Sequence, residues 1–409
     1  MRTIEQIREQ FPILSRKVYG KDLVYLDNAA TAQKPQAVLD RWMEAASLQN
    51  ANAHRAVHAL AGEITDAYEG AREAVRAFLN APLREEVIFT SGATAAINLV
   101  AFSFGERFAE EGCEIIVTEA EHHSDIVPWQ MLCERKKAVL KVWPVEEDGY
   151  LSVDKLEALL SPRTVLVAMS HISNVLGLVN PVKEAVALCH ARAIPVLVDG
   201  AQGIVHEKVD VQEMDCDFYA FSGHKIYAAT GTGVLYGKKK WLEAMPPYMG
   251  GGEMIETVRF TGTTYAPLPG KFEAGTQNLS GAPTLVPAMD FLREARESQA
   301  VETEQERIKE YLLDFFAARS DIRLFGKPRR PQDKINLFSF VVDGAHHEDI
   351  ALILDKMGIA VRSGQMCAEP LMDRFGVSGM LRASFAPYNT LAEAEFFTKC
   401  LDKAVMMLR

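Results

Sequence analysis

Between residues 86 and 236, short apolar runs alternate with stretches of helical spacing, and few folds accommodate that pattern. Strands are predicted at 86–90, 114–118, 139–143, 164–170, 194–198, 217–221 and 232–236, with helices at 93–110, 125–137, 153–160 and 181–192. Strands separated by helices imply βαβ units and an α/β fold with a mainly parallel seven-stranded sheet. Val196–Val198 and Phe218–Phe221 are apolar without interruption, as strands covered on both faces tend to be. Sheets of this kind bind ligands beyond the carboxyl ends of their strands. Asp199, Gln202, Ser222, His224 and Lys225, which follow the two runs, are therefore expected on one rim. An acid and an amine there suit pyridoxal phosphate. The lysine forms a Schiff base with its aldehyde, and the carboxylate keeps the pyridine nitrogen protonated, so that the ring draws electrons. The competing readings are a helix-capping Asp199 and a solvated Lys225.

The rest of the chain frames this unit. Residues 1–20 read as a short helix and an arm, and helices are predicted from Pro35 to about 48 and over 63–79. Residues 245–282 are rich in Gly, Pro and Thr, a long loop of the functional or interfacial kind. A helical stretch at about 284–319 leads to strand 336–342, helix 347–357, strands 359–361 and 380–385, and helix 391–408. The expected division is a large ligand-binding domain at 21–289 and a small α+β domain made of 1–20 and 290–409, which carries Cys367. A formal net charge of −11 argues against nucleic acid or an anionic membrane as the main partner. The amino terminus lacks the apolar core of a signal peptide, and no apolar run approaches membrane-spanning length, so a cytoplasmic location is expected. None of the six cysteines forms a CxxC pair, which indicates neither a zinc site nor a thioredoxin-like motif; no metal is expected.

Four further groups carry chemistry. Val87–Thr90 runs through Ser91 and Gly92 into a helix beginning at Ala93 and Thr94, and a helix start favours an anion such as a phosphate. Ser222 and His224 are placed to add side-chain donors. Glu121-His122-His123-Ser124-Asp125 follows a strand, and the flat imidazole of His122 suits stacking on a cofactor ring; a metal pair and a solvated helix start are the rival readings. Arg382 stands in the apolar strand Leu381–Phe385, where its fork matches a carboxylate, with Asn174 as support; an internal ion pair is the alternative. Cys367 follows Arg362 in a loop containing Gly364 and Pro370, a setting for a reactive thiol, although an inert small residue fits as well. No GxGxxG follows the first strand, which disfavours a dinucleotide-binding protein.

Together these residues resemble the fold-type I, aminotransferase-like pyridoxal phosphate enzymes, and within them the group II cysteine desulfurases of the SufS type. The marks are Tyr25-Leu-Asp-Asn-Ala-Ala-Thr31, His54-Arg55, Glu121-His-His123 with Val127-Pro-Trp-Gln130, Ser173-Asn-Val-Leu-Gly177, Val198-Asp-Gly-Ala-Gln202, Phe221-Ser-Gly-His-Lys225, Phe272-Glu-Ala-Gly-Thr276 and Cys367-Ala-Glu-Pro-Leu-Met372. The resemblance implies Lys225 as the Schiff-base lysine, Asp199 on the pyridine nitrogen, Gln202 on the phenolate oxygen and His122 on the ring. It implies a phosphate held by Ala93, Thr94, Ser222 and His224, with Thr276 reaching in from a second subunit. Arg382 and Asn174 would bind the substrate carboxylate, with Ala29, His54 and Arg362 near the substrate, and Cys367 would accept the sulfur. The implied reaction turns L-cysteine into L-alanine and supplies sulfur for iron–sulfur cluster assembly in the SUF system. The implied state is a homodimer that passes sulfur to a SufE- or SufU-type protein. The alternative on the same fold is a selenocysteine lyase, acting on L-selenocysteine, or an aminotransferase. The chain departs from the family pattern at Gln365-Met366, where two histidines are frequent, at Ala95 in place of Glu, and at Gln277 in place of Pro.

Overall fold

The computed structural model describes residues 2–54 and 57–409. Its central sheet contains β1 (Val87–Thr90), β2 (Glu114–Thr118), β3 (Val139–Trp143), β4 (Thr164–Ser170), β5 (Val196–Asp199), β6 (Phe218–Ser222) and β7 (Gly233–Gly237). Their order is β3-β2-β4-β5-β6-β7-β1. The ladders from β3 to β6 are parallel, and β7 runs antiparallel to both its neighbours. The expected seven-stranded, mainly parallel sheet is the one observed. Side chains alternate between its two faces: Leu166, Ala168 and Leu197 enter one core, while Val167, Met169, Val196 and Val198 enter the other. A Cβ on Gly233 would stand 2.3 Å from the Gly92 Cα, so β7 can lie against the turn after β1 only as glycine.

Helix α1 (Ala59–Phe78) packs behind β1, α2 (Ala93–Phe108) starts at the end of β1, and α3 (Val127–Lys136) follows β2. The stretch expected as one helix at 284–319 is two, α4 (Leu285–Glu297) and α5 (Gln299–Ala317). Ser298 between them is extended, and its hydroxyl accepts the Val301 N–H, capping α5. A serine in a charged, helix-favouring stretch gave little local sign of that break. The loop at 245–282 contains a two-stranded hairpin, Ile255–Arg259 with Gly262–Tyr265.

The second sheet is built from β8 (Ile322–Phe325), β9 (Leu337–Val342), β10 (Arg362–Gly364) and β11 (Met380–Ser384), in the order β8-β9-β11-β10. Strand β8 and helix α6 (Glu369–Phe375) were not anticipated; both are short. Phe338, Phe340, Leu381 and Ala383 form a third core with α5 and with α7 (Leu391–Leu408). Val24 and Leu26 join this core because Val24 pairs with Ile359 in parallel. Ile7 and Phe11 pack instead into a core of the large sheet, where the Phe11 ring meets Phe291 and Tyr388. The chain therefore crosses between the two sheets at residues 24–27, which brings Asp27 to β11. No helix of the described residues is long and apolar enough to cross a membrane.

Candidate active site

A single cavity collects groups from both sheets. The ends of β5 and β6 bring Asp199, Gln202, Ser222, His224 and Lys225; the start of α2 brings Ala93 and Thr94; the turn after β2 brings His122. Arg362, Cys367 and Arg382 enter from the second sheet, and Ala29 and Asn174 close the sides.

On the large-sheet wall, Asp199 Oδ1 accepts the Ala201 N–H at 2.8 Å. Burial raises the pKa of Asp199, and Lys225 opposes that shift. Lys225 has no hydrogen-bond partner among the described residues. Burial pulls its amine down to about 8 against the opposing pull of Asp199, with Arg382 and Arg362 adding to the fall. Gln202 Nε2 donates to Ala29 O at 2.9 Å, so that this short backbone run lies against the cavity. Ser222 Oγ accepts the Ala93 N–H at 2.8 Å, and His224 Nδ1 lies 3.1 Å from Thr31 Oγ1. Burial, with Lys225 next in effect, pulls His122 down to about 3, so its ring is neutral. Ser124, which the motif reading gave no role, links His122 to the helix start: its Oγ is 3.0 Å from His122 Nδ1 and 2.7 Å from Thr94 Oγ1.

On the opposite wall, Arg382 Nη1 donates to Asn174 O at 2.7 Å and Nη2 to Asp27 Oδ1 at 3.3 Å. Arg382 Nε has no partner among the described residues. The guanidinium therefore has an internal ion pair and still keeps a donor free. Burial lowers Arg382 to about 10. Arg362 Nη2 donates to Cys367 Sγ at 3.5 Å. Met366 and Cys367 are both left-handed, with φ of 55° and 57°, which costs roughly 1–2 kcal/mol per residue. The other five cysteines are buried, as small core residues are.

Two predicted residues lie elsewhere in the chain. Thr276 lines a second cavity with Thr90, Ser91 and Ala95. His54 is exposed, with Nε2 3.2 Å from Glu69 Oε1. Arg55 lies outside the described residues. The Phe272–Thr276 motif is anchored by Glu273, which takes Arg72 Nη1 and Nη2 at 2.6 and 2.9 Å and the Phe89 N–H at 2.7 Å.

Behind His122, Glu121 and Asp125 are fully buried acids. Glu121 Oε1 accepts from Thr118 Oγ1 at 2.5 Å and from the Ser170 N–H at 2.8 Å, and Asp125 Oδ1 accepts from Trp129 Nε1 at 2.8 Å. The second oxygen of each has no donor among the described residues. Burial raises both pKa values; the nearby Asp199 charge raises both further, and the Glu121 charge adds to the rise of Asp125. The folded chain then binds more protons here than the unfolded one, and stability falls as pH rises from the ordinary carboxylate range through the raised values. The slope is about 1.4 kcal/mol per pH unit for one proton. Asp125→Asn is expected to flatten this slope and to raise the thermal midpoint at pH 8 relative to the parent. Thermal melts at pH 5 to 9 test this, and parallel curves for the two proteins would refute it.

The comparisons with known proteins agree with this arrangement. Residues 24–397 match the model of the aminotransferase class-V family. This chain belongs to that family. A protein of Vibrio cholerae named probable cysteine desulfurase is 47% identical over 408 residues, covering 100% of both chains. A cysteine desulfurase of Cronobacter sakazakii is 46% identical over 394 residues, covering 96% of each. The crystal structure of the cysteine desulfurase CsdA of Escherichia coli superposes with a TM-score of 0.90 at 40% identity, covering 100% of both chains. Class-V aminotransferases depend on pyridoxal 5′-phosphate. The cavity fits that group: a desolvated amine without a partner stands beside Asp199, and a helix start opens at Ala93 and Thr94, where a phosphate is favoured.

Proposed function

We propose that this chain is a pyridoxal phosphate-dependent cysteine desulfurase that converts L-cysteine to L-alanine and retains the sulfur on Cys367. The observation that carries the reading is the opening of Cys367 and Lys225 onto one cavity. An aminotransferase needs no thiol there. Lys225 would hold the cofactor, Asp199 and Gln202 its ring, and Ala93, Thr94, Ser222 and His224 its phosphate. The bound cofactor supplies a sink for the electrons left when a proton departs from the substrate Cα.

The chain's own groups account for the other steps. Arg382 meets the substrate carboxylate with a fork already held by Asp27 and the Asn174 carbonyl, so little ordering remains to be done on binding. Lys225, as a free amine with a pKa near 8, takes the Cα proton, because a base works best near the operating pH. Neutral His122 covers the pocket without adding a second positive charge. The Cys367 thiolate attacks the substrate sulfur. An S–S bond forms as the Cβ–S bond breaks, and the electron pair of that bond passes to carbon, which is protonated and leaves as alanine. The enzyme keeps a persulfide, so one hard transfer is divided in two.

Cys367 stands in the turn 365–368 between β10 and α6, too short to carry sulfur far. A separate SufE- or SufU-type acceptor and a place in SUF iron–sulfur assembly follow on that reading. Thr276 would reach the phosphate of a second copy, which makes a homodimer the working unit. The deciding test incubates the cofactor-loaded protein with L-cysteine and a thiol, and measures alanine and sulfide together. A keto acid instead of alanine would indicate an aminotransferase, and turnover of L-selenocysteine alone would indicate a selenocysteine lyase.

Arg382→Ala is expected to raise the KM for L-cysteine by a factor equivalent to roughly 2–5 kcal/mol, with the visible band of the cofactor unchanged. An unchanged KM would leave Arg382 only its structural pairing with Asp27.

A further inference from the structure

We propose that His123 is a positioning residue for Cys367, pinning the turn at 365–368 through its main chain and its ring. The inference rests on the desulfurase reading above. The His123 N–H donates to Cys367 O at 2.7 Å. The His123 Nε2 accepts the Glu369 N–H at 3.0 Å. Glu369 is the first residue of α6, and the first N–H groups of a helix have no partner inside it. Ala368, which precedes α6, offers no side-chain cap. His123 is thus a cap delivered from the large sheet to a helix of the other unit.

The turn requires such support. Met366 and Cys367 are consecutive left-handed residues without being glycine, and a conformation of that kind persists only where its surroundings enforce it. Asn174 Nδ2 holds Met366 O at 2.9 Å on the amino side, and His123 holds the carboxyl side. Met366 and Ala368 are buried at 2% and 0% exposure, while Cys367 between them is partly exposed and lines the cavity. The two neighbouring histidines face different ways. His122 lines the cavity, whereas His123 turns to α6, with the ring planes 52° apart. Only the ring of His123 can be removed by substitution, so its contact with Glu369 is the testable one.

The test compares His123→Ala, His123→Asn and His123→Gln with the parent as cofactor-loaded enzymes. The amide oxygen of Gln reaches the position of Nε2, whereas Asn is too short. Hydrogen–deuterium exchange of the peptide spanning residues 365–372 is followed, together with kcat and KM for alanine formation. One lost hydrogen bond is expected to speed exchange at this peptide about five- to tenfold and to lower kcat by a similar factor. KM and the visible band are expected to stay unchanged, and Gln is expected to restore both exchange and kcat. If the Ala variant fails to fold, the Asn–Gln pair carries the comparison. Unchanged exchange, or Gln no better than Asn, overturns the proposal, and loss of the visible band shows that His123 acts through the cofactor instead. If the parent makes no alanine from L-cysteine, the desulfurase reading fails, and the exchange comparison still decides whether His123 pins the turn.

Discussion

Lys225→Ala is expected to abolish alanine formation from L-cysteine and to remove the visible absorption of the Schiff base formed with added pyridoxal phosphate. Two losses combine. On the reading proposed above, the chain loses the amine that would bind the cofactor covalently and the base for the Cα proton, a role worth about 10²–10⁴-fold by itself. The rest of the cavity is expected to survive, because Lys225 makes no hydrogen bond that its removal would break among the described residues. The thermal midpoint without cofactor is therefore expected to hold or rise, since a desolvated amine is taken from the interior. Lys225→Arg is expected to be equally inactive, as a guanidinium stays protonated. Alanine formation by Lys225→Ala at the parent rate would refute the role.

Cys367→Ala is expected to separate cofactor chemistry from sulfur transfer. Among the described residues the thiol's hydrogen bond is to Arg362, and it bonds to none of the residues expected to hold the cofactor, so the visible spectrum is expected to match the parent. L-cysteine is expected still to bind and perturb that spectrum, because Lys225 and Arg382 remain. Alanine release from L-cysteine is expected to fall to background, because nothing accepts the sulfur. L-selenocysteine is expected to retain part of its turnover, since selenium is the better leaving group and needs a thiol acceptor less. In the parent, brief exposure to L-cysteine is expected to add one sulfur to the peptide containing Cys367, as read by mass spectrometry. Sulfur on Cys113, Cys133, Cys189, Cys216 or Cys400, or normal alanine output from the variant, would overturn the transfer step. All five are buried, so the experiment has a clean background.

The local pattern of the chain determined the central sheet and one wall of the cavity. Continuous apolar runs at 196–198 and 218–221 can be covered only by layers on both faces, and a strand that ends in Asp199 or runs on to Lys225 must deliver those groups at the sheet's rim. This information is written in neighbouring residues. The other wall was legible as a list of side chains and not as an arrangement. Arg382 stood out as a charge in an apolar strand, but its partner Asp27 is 355 residues away, and no periodicity connects the two. Ser124, Glu121 and Asp125 sat in a quoted motif, yet their roles depend on what the fold buries around them. The left-handed turn at Cys367 has no glycine to announce it, because it is held from outside by Asn174 and by His123, which lies 246 residues from its partner Glu369. Burial, long-range pairing and the desolvation that moves Lys225, His122 and the acid pair exist only once the two sheets meet, and tertiary structure alone decided them.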